Sequence, residues 1–364
     1  MHGIDGATLY QVAFPLARPM WNGTRQIRTM HTVLAVVHAG EHSGLGYAFA
    51  LTEQESAVVH EVAILLVGRL LGADLDPLPA LTRELRRSAG ELRRGALAVM
   101  ATACLDTALW DLWARWHGKS VCRLLGGRPI SRSLYGSGGS LGLSLDELVE
   151  EAVSFQDRGY RGYKFKVGGE DLEADVDRVL AVRAQVGPEF MLAVDANQAW
   201  ERERAALACV RLAPAGLAWI EEPLPASDVL GLARLRRGSA VPLAAGETLA
   251  GTEPLLNLMR AGAVDILQPD LMMCGGVTAQ LEVAAAARDF GVRLVPHLFT
   301  EFNAQLMATA PADALVEHLE GWFEHLFLAG PDISSGAVTP SDAPGFGLEP
   351  DLETLGRYGT SLHV

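Results

Sequence analysis

The sequence predicts an α/β protein in which a modified (β/α)-barrel follows a smaller α+β domain. The chain has 364 residues, of which 49% are apolar, and this is enough for one large hydrophobic core and a smaller one. In the first third, three segments of alternating polarity precede three helical patterns. Farther on, short β-rich segments alternate with amphipathic helices. Their repeat of roughly 20 to 30 residues is that of the βα unit of a barrel.

The N-terminal domain, residues 1–127, is predicted to contain a three-stranded meander and three helices. The strands are expected at Leu9–Leu16, Thr32–His38 and Gly44–Leu51, and the helices at Ser56–Leu71, Leu78–Arg87 and Leu97–Trp116. The third helix carries a broad apolar face and ends before Gly118. A Gly126-Gly127 pair then closes the domain.

The barrel, residues 128–325, is predicted to contain eight strands separated by helices. The strands are expected at Ser133–Ser137, Gly162–Val167, Phe190–Ala196, Leu217–Glu221, Leu243–Glu247, Asp265–Gln268, Arg293–His297 and Ala314–Glu317. One helix begins after Ser144, and Glu147 three residues later completes the pattern of a capping box. Residues 326–364 are rich in loop signals and are expected to pack back on the first domain.

The charge of the chain excludes one class of partner. A net charge of −14 and a pI near 5.2 leave no basic stripe that could neutralise phosphates, so a nucleic-acid partner is not expected. An acidic surface also repels anions at long range. An anionic substrate must therefore be held by a metal ion or by local Lys and Arg side chains.

No segment has the pattern of a signal peptide or a membrane span. Residues 1–5 lack a basic stretch followed by an apolar one. The most apolar helical stretch, Val62–Leu71, contains Arg69 and is too short to cross a bilayer. The four cysteines have no paired spacing, which is typical of reduced thiols in a core. We therefore expect a cytoplasmic protein with no membrane partner.

Ionisable side chains end the second to eighth strands of the predicted barrel. They are Lys164, Lys166, Asp195, Glu221, Glu247, Asp270, His297 and Glu317, and Asn197 follows the third strand. Any one of them has an ordinary explanation, such as a helix N-cap or a solvated strand face. Barrel enzymes carry their chemistry at these strand ends, so the series indicates a functional site. Glu222, beside Glu221, is expected at the surface or behind that site.

Three of these residues predict a metal site. Asp195, Glu221 and Glu247 end neighbouring strands and offer hard carboxylate oxygens without a Cys or His ligand. Such a set suits Mg²⁺, which keeps positions open for water and substrate oxygens. Mn²⁺ would fit the same ligands, whereas Zn²⁺ would be a poor match.

The remaining groups predict acid–base chemistry. Two close lysines near a divalent cation lower each other's pKa, so Lys166 is a plausible base, with Lys164 holding a substrate carboxylate. Asp270 could fix the tautomer of His297, which would act on the opposite face of the substrate. Glu317 could donate a proton to a carboxylate oxygen, a role that requires a raised pKa.

The order and spacing of these motifs resemble a known family over nearly the whole chain. The motifs are Lys164-Phe165-Lys166, Asp195-Ala196-Asn197, Ile220-Glu221-Glu222-Pro223, Gly246-Glu247, Gln268-Pro269-Asp270 and Pro296-His297. They resemble the motif set of the mandelate racemase group of the enolase superfamily. Residues 103–111 and 124–127 resemble the signature of that family's N-terminal domain.

The resemblance implies a capping domain over a modified, TIM-like barrel, with an enediolate stabilised by Mg²⁺. It implies that Lys166 and His297 are the general acid and base and that Asp270 orients the histidine. Asn197 and Lys164 would contact the substrate, with Glu317 as electrophile. The implied partner is a small-molecule carboxylate, and a homo-oligomer is expected because relatives commonly form one.

Two loops of the capping domain, near Pro19–Arg28 and Phe49–Glu53, are implied as specificity elements. The first is polar, which favours an acid-sugar dehydratase that forms a 2-keto-3-deoxy product. Leu298, Phe299 and Leu319 instead suit an apolar substituent. The expected substrate-binding residues are Asn197, Ser137, Trp21, Arg25, Leu298 and Leu319.

Two alternatives stay open on the sequence alone. A racemase or epimerase of a mandelate-type 2-hydroxy acid would use the same catalytic residues. An inactive carboxylate-binding barrel is a hypothesis from another class, but binding alone needs no base on both faces. Muconate-type cycloisomerisation is disfavoured, because the sixth strand would then be expected to end in a lysine where this chain has Asp270.

Overall fold

The N-terminal domain is built on an antiparallel sheet in the order β16-β1-β2-β3. The computed structural model describes residues 3–22 and 24–364. Three long strands form the predicted meander: β1 Gly6–Trp21, β2 Gln26–Ala39 and β3 His42–Ala50. The first two strands extend beyond their predicted limits, so the loop between them is shorter than the sequence indicated. This loop lies over the mouth of the barrel.

Helices pack on one face of this sheet. They are α1 Glu53–Leu70, α2 Leu78–Glu91, α3 Ala96–Trp116 and the short α4 Val121–Leu124. By length and composition α3 could cross a membrane, but 72% of its most apolar stretch is buried inside the protein. Its buried residues join those of the sheet in one hydrophobic cluster, so α3 is the central helix of this domain's core.

The contact of β3 with α3 depends on glycine. A Cβ atom on Gly46 would lie 2.1 Å from the carbonyl oxygen of Cys104 and 2.6 Å from the amide nitrogen of Ala108. Gly44 meets the same helix one turn farther along, with Ala108 O and Leu112 N both at 2.2 Å. The helix therefore approaches the strand more closely than any side chain would allow.

Gly46→Ala is expected to destabilise the protein by about 3 kcal/mol, because backbone atoms of α3 must move to admit the methyl group. Gly68→Ala is the matched control, since a Cβ there meets nothing within 4 Å on exposed helix α1. It should stabilise the helix by up to about 1 kcal/mol. Urea unfolding of both variants measures the difference, and equal midpoints would contradict the role given to Gly46.

Eight parallel strands form the barrel in the order of the chain, and the eighth pairs with the first. They are β4 Arg132–Gly138, β5 Gly162–Lys166, β6 Met191–Asp195, β7 Trp219–Glu221, β8 Leu243–Ala245, β9 Ile266–Leu267, β10 Arg293–Leu294 and β11 Leu315–His318. The predicted barrel is confirmed, but its later strands are shorter than predicted. Pro269 and Pro296 follow β9 and β10, and a proline has no N–H to continue a ladder.

The helices of the barrel cover the outside of these strands. They are α5 Leu145–Asp157, α6 Leu172–Val186, α7 Arg202–Leu212, α8 Val229–Gly238, α9 Thr252–Arg260, α10 Leu271–Cys274, α11 Val277–Phe290 and α12 Thr300–Leu306, with short 3₁₀ turns at Ala213–Ala215, Met307–Thr309 and Glu324–Leu326. The capping box at Ser144 and Glu147 is present at the start of α5.

The C-terminal segment contacts both domains. Its elements are β12 Phe327–Ala329, β13 Asp332–Ser334, β14 Ala337–Thr339, β15 Glu349–Pro350, α13 Leu352–Tyr358 and β16 Gly359–His363. The hairpin of β13 and β14 extends the barrel sheet next to β4, whereas β16 pairs with β1 of the N-terminal sheet. The last residues of the chain thus tie the N-terminal sheet to the segment that follows the barrel.

Candidate active site

A cavity of 330 Å³ lies between the strand ends of the barrel and the N-terminal domain. From the barrel it is lined by Ser137, Lys164, Lys166, Asn197, Glu247, Asp270, His297 and Glu317. Each of these was predicted as a site residue, and the fold brings them together from seven strands or strand ends. The domain above closes the cavity, so each domain contributes one of its walls.

Three carboxylates form a metal site at the floor of this cavity. Asp195 ends β6, Glu221 ends β7 and Glu247 follows β8, and one oxygen from each lies within 4.8 Å of the others. All three are buried. Burial raises the pKa of Glu221 to about 8 and that of Glu247 to about 7. Three buried acids held this close are costly unless a cation compensates their charge.

The donor atoms fit Mg²⁺. Glu247 Oε2 and Asn197 Oδ1 are buried and have no hydrogen-bond partner among the described residues. Glu247 Oε2 does lie 3.1 Å from His297 Nε2, but without the geometry of a hydrogen bond. An oxygen-only set without Cys or His is the environment that Mg²⁺ prefers.

Three side chains donate hydrogen bonds to Glu221, and two of them, Trp219 and Gln268, were not predicted as site residues. Glu221 Oε2 accepts hydrogen bonds from Trp219 Nε1 at 2.9 Å and from Gln268 Nε2 at 2.6 Å. Its Oε1 accepts one from Lys164 Nζ. These donors fix the plane of the carboxylate before any ligand binds, as the hydrogen-bonding partners of metal ligands commonly do.

Gln268→Leu is expected to weaken Mg²⁺ binding by roughly 10- to 100-fold, because Glu221 loses one of its donors. Calorimetric titration with Mg²⁺ measures the effect. Gln280→Leu is the matched control, since it removes another buried amide whose Nε2 donates to Asn303 Oδ1. Equal loss of affinity in both variants would show general destabilisation instead of a positioning role for Gln268.

The two lysines contact the carboxylates. Lys166 Nζ lies 2.6 Å from Asp195 Oδ2, and Lys164 Nζ lies 2.8 Å from Glu317 Oε1. Burial alone would lower the pKa of Lys166, but the Asp195 carboxylate outweighs it and the pKa is raised. The lowered pKa was predicted for a lysine beside a divalent cation, and it stays a prediction for the Mg²⁺-bound site, in which the cation offsets the charge of Asp195.

The charges around Glu317 also determine its ionisation. Burial would raise its pKa, but Lys164 and His297 outweigh burial and hold the pKa at about 2. The proton-donor role considered for Glu317 requires a raised pKa and stays a prediction for the ligand-bound site. The Glu317 carboxylate is thus an acceptor here, and its Oε2 accepts the N–H of Leu298 at 2.9 Å.

His297 and Asp270 form the predicted pair. His297 Nδ1 lies 2.7 Å from Asp270 Oδ2, while Asp270 Oδ1 caps α10 by accepting the N–H of Met273 at 2.8 Å. Burial lowers the pKa of His297, but Glu247 and the hydrogen bond to Asp270 raise it to about 10. Lys166 contacts one carboxylate of the metal site and His297 lies beside another.

Backbone conformation at the strand ends is unusual. Asn197, Gln198 and Glu222 have φ of 42°, 64° and 39°, and Leu298 and Phe299 have 48° and 49°. Such values are uncommon outside glycine and cluster at functional sites. They turn the chain sharply where β6, β7 and β10 reach the cavity.

Glu222 is fully buried, so of its two expected positions, at the surface or behind the site, it takes the second. Its two oxygens accept hydrogen bonds from Gln198 Nε2 at 2.9 Å and from Thr248 Oγ1 at 2.6 Å. Burial raises its pKa to about 7. Glu222 therefore joins the loops that carry Asn197 and Glu247 and lies behind the metal site.

The predicted substrate-binding residues divide into two groups. Arg25, Leu298 and Leu319 line the cavity together with Ser137 and Asn197. Trp21 does not line it: Met20 does, and side chains of adjacent strand residues point to opposite faces. The Trp21 side chain is 46% exposed. Phe299, considered beside Leu298, lines a neighbouring cavity instead.

That neighbouring cavity, of 190 Å³, shares Leu298 and Leu319 with the first. Glu301 lines it and accepts a hydrogen bond from the hydroxyl of Tyr47. Burial raises the pKa of Glu301 to about 7 from its ordinary 4.5. The folded state therefore keeps Glu301 protonated over a pH range in which Glu301 of the unfolded chain is deprotonated.

Glu301→Gln is expected to stabilise the protein by about 2 kcal/mol near pH 8 and by little near pH 5. Because the folded pKa is the higher one, wild-type stability falls as pH rises from 4.5 to about 7, and glutamine removes this loss while still accepting the Tyr47 hydrogen bond. Thermal unfolding at both pH values measures it, with Glu41→Gln on the exposed β2–β3 turn as control. A pH-independent effect would contradict the titration of Glu301.

Two family models match the chain over most of its length. The mandelate racemase/muconate lactonizing enzyme N-terminal domain matches residues 6–126, and the enolase C-terminal domain-like model matches residues 147–354. The chain belongs to the mandelate racemase/muconate lactonizing enzyme group of the enolase superfamily. The resemblance inferred from the strand-end motifs is thereby confirmed.

Relatives in this group have several activities. The chain is 31% identical to L-talarate/galactarate dehydratase of Salmonella typhimurium, covering 99% of this chain and 91% of that protein. It is 35% identical to 3,6-anhydro-alpha-L-galactonate cycloisomerase of Streptomyces coelicolor, covering 86% and 87%. The structure of L-talarate dehydratase from Polaromonas sp. JS666 complexed with Mg and L-glucarate superposes with a TM-score of 0.93 at 32% identity, covering 100% and 99%.

Proposed function

We propose that the protein removes the α-proton of a 2,3-dihydroxy acid and then eliminates the β-hydroxyl as water. The observation that carries this proposal is the position of Lys166 and His297 beside two different carboxylates of the metal site. Lys166 Nζ is 2.6 Å from Asp195, and His297 Nε2 is 3.1 Å from Glu247. A base and an acid so placed can act on two atoms of one bound substrate.

Asp195, Glu221 and Glu247 would hold Mg²⁺ in this function. When bound, the ion supplies positive charge that offsets the carboxylates and stabilises negative charge on the substrate carboxylate. Lys164, which is 2.8 Å from Glu317, would hold the same substrate carboxylate. The Polaromonas dehydratase was solved with Mg and an acid-sugar ligand, which supports this assignment.

The proton and electron transfers then follow from the residues. Lys166 Nζ takes the α-proton, and the electron pair of the C–H bond moves toward the carboxylate to form the enediolate. When this electron pair returns, the bond between the β-carbon and its hydroxyl oxygen breaks. His297 donates a proton to that oxygen, so that water leaves. Asp270, 2.7 Å from His297 Nδ1, orients the ring for this transfer. Protonation of the resulting enol at the β-carbon gives the 2-keto-3-deoxy acid.

Racemisation or epimerisation is the second candidate. The same placement of Lys166 and His297 would let one residue remove the α-proton while the other returns a proton to the opposite face. A carboxylate-binding protein without activity is disfavoured, because the structure keeps Lys166, the His297–Asp270 pair and the metal site together in one cavity.

Proton NMR in D₂O tests the proposal. The protein with Mg²⁺ is incubated with aldonic, aldaric and other 2,3-dihydroxy acids and with aryl 2-hydroxy acids. Loss of the α-proton signal together with a 2-keto-3-deoxy product is the expected result. Deuterium at the α-carbon without loss of water would favour racemisation. Inertness toward the whole panel, shared by Lys166→Ala, would contradict the enzyme function.

We also propose that the protein acts in the cytoplasm as a homo-oligomer. All four cysteines are free and buried, which suits a reducing compartment. Leu207, Val210 and Leu230 on neighbouring helices α7 and α8 are more than half exposed, which supports a contact between subunits. Sedimentation equilibrium tests the oligomer, and a monomer at micromolar concentration would contradict it.

A further inference from the structure

The lining of the active-site cavity differs in polarity between the two domains. The barrel contributes the charged and amide side chains near the metal site, whereas most residues that line the cavity from the N-terminal domain are apolar. The large apolar side chains of the lining, which we call the apolar wall, are Met20, Ile27, Phe49, Met100, Met272 and Trp322. The first four come from the N-terminal domain, and all six are apolar groups without a carboxylate or amide among them.

The polar side chains of the N-terminal domain that line the cavity mostly form hydrogen bonds within that domain. Asn22 Oδ1 accepts the N–H groups of Thr24 at 3.2 Å and Arg25 at 3.0 Å, and also the Thr24 hydroxyl at 2.9 Å. Glu55 Oε2 accepts the N–H of Leu51 at 3.2 Å. Over residues 3–22 and 24–364, the Arg25 guanidinium has no hydrogen bond or ion pair, and it lies exposed at the rim of the cavity.

This distribution limits what can bind beyond the third carbon of a substrate. The floor can pair with one carboxylate and the adjacent hydroxyls. A hydroxyl placed against the apolar wall would exchange water for methionine, isoleucine and aromatic carbon, none of which can replace its hydrogen bonds. An apolar group in the same place would gain from burial.

We propose that the natural substrate is a 2,3-dihydroxy monocarboxylic acid whose remaining carbons are apolar, such as an aryl or branched alkyl group. This inference rests on the proposed function and narrows its substrate class. The carboxylate and both hydroxyls lie over the metal site, and the apolar group packs against Phe49, Met100 and Trp322. The polarity of the loop at residues 19–28, which favoured an acid sugar, is used largely within the loop itself.

The test compares substrates that share one reacting end. The panel contains 2,3-dihydroxy-3-phenylpropanoate and 2,3-dihydroxy-4-methylpentanoate as all stereoisomers, with aldonates and aldarates of similar length. Exchange of the α-proton and formation of keto acid are followed by NMR with Mg²⁺ present. The expected result is a kcat/KM roughly 100-fold higher for an apolar-tailed acid than for any polyhydroxy acid, as for a hydroxyl placed in an apolar pocket.

The outcomes separate this inference from the proposed function. Faster turnover of an aldonate or aldarate would overturn the inference and leave the dehydratase function intact. A preference for an aldarate would instead indicate that Arg25 binds the second carboxylate of the substrate. Absence of α-proton exchange with every compound would overturn the dehydratase function and this inference together.

A variant of the apolar wall provides a second readout. Met100→Gln places an amide beside the tail and should lower the preference for apolar-tailed over polyhydroxy acids by about tenfold. Leu65→Gln, on the exposed side of α1 with 55% exposure, is the control and should leave the preference unchanged. An unchanged preference in Met100→Gln would overturn the assignment of the wall to the substrate tail.

Discussion

Lys166→Met is expected to lower kcat/KM by about a thousandfold and to abolish measurable α-proton exchange, because the base is lost. Methionine keeps the length of the aliphatic stem, and Asp195 keeps the hydrogen bond from the N–H of Asn197 at 2.8 Å. The fold and the metal site should therefore survive. Turnover, exchange in D₂O and Mg²⁺ titration of the same sample measure the three properties separately.

Lys119→Met is the matched control for this experiment. Lys119 is exposed and lies at the end of the N-terminal domain, away from the cavity. It should keep wild-type turnover. Wild-type exchange in Lys166→Met, with Mg²⁺ bound, would contradict the assignment of Lys166 as the base. A loss of Mg²⁺ binding would show instead that the lysine maintains the metal site.

The scarcity of lysine is a further feature of the sequence that distinguishes the end of the second barrel strand. The chain has only three lysines among 30 Lys and Arg residues, and two of them are Lys164 and Lys166. Apart from Lys119, all other Lys and Arg positions of the chain are arginine. An arginine stays protonated at any working pH and cannot serve as a base, whereas a lysine can. A lysine at position 166 is therefore compatible with the proposed role of a base, which an arginine could not fulfil.

The order of the barrel strands could be predicted because each strand is a short apolar run next to an amphipathic helix. The last residues of several strands could not. His297 was assigned to a strand, but β10 ends at Leu294, and His297 instead bridges to Asp270 through its N–H bond to Pro269 at 3.0 Å. The alternation of polar and apolar residues predicts which side chains face the interior of the barrel. It does not predict where a proline ends the hydrogen bonding between neighbouring strands.

The site residues could be predicted because chemistry in a barrel collects at one end of the strands. Their partners could not be predicted in the same way. The donors to Glu221 include Lys164 and Gln268, which lie 57 and 47 residues away in the chain. The ionisation of Lys166 and Glu317 depends on such contacts, so the pKa directions that their neighbours impose could not be derived from the sequence. The composition of the chain and the spacing of its motifs do not specify the distances between these side chains.

The specificity residues were the least predictable part of the site. A polar loop sequence indicated a polar substrate, but the turn at Asn22 uses its own side chain to hold Thr24 and Arg25. Apolar residues that line the cavity, such as Met100 and Trp322, come from distant parts of the chain and resemble ordinary core residues in sequence. Their position in the cavity lining becomes visible only when the two domains are in contact.

His297→Asn is expected to separate loss of the α-proton from loss of water. Formation of the 2-keto acid should fall by about a thousandfold, because the leaving oxygen no longer receives a proton. Lys166 remains in place, so deuterium should still enter the α-carbon in D₂O. Simultaneous NMR measurement of exchange and product in one sample gives both rates.

The same variant distinguishes the two candidate reactions. In a dehydratase, the α-proton of the substrate exchanges while water loss stops. In a racemase, His297 would be the base for one stereoisomer, so exchange of that isomer would stop while its mirror image continued to exchange through Lys166. His42→Asn, on the β2–β3 hairpin outside the cavity, is the control and should match wild type. Complete loss of exchange for both isomers would mean that the His297–Asp270 pair also holds the substrate, since Lys166 alone would then be insufficient.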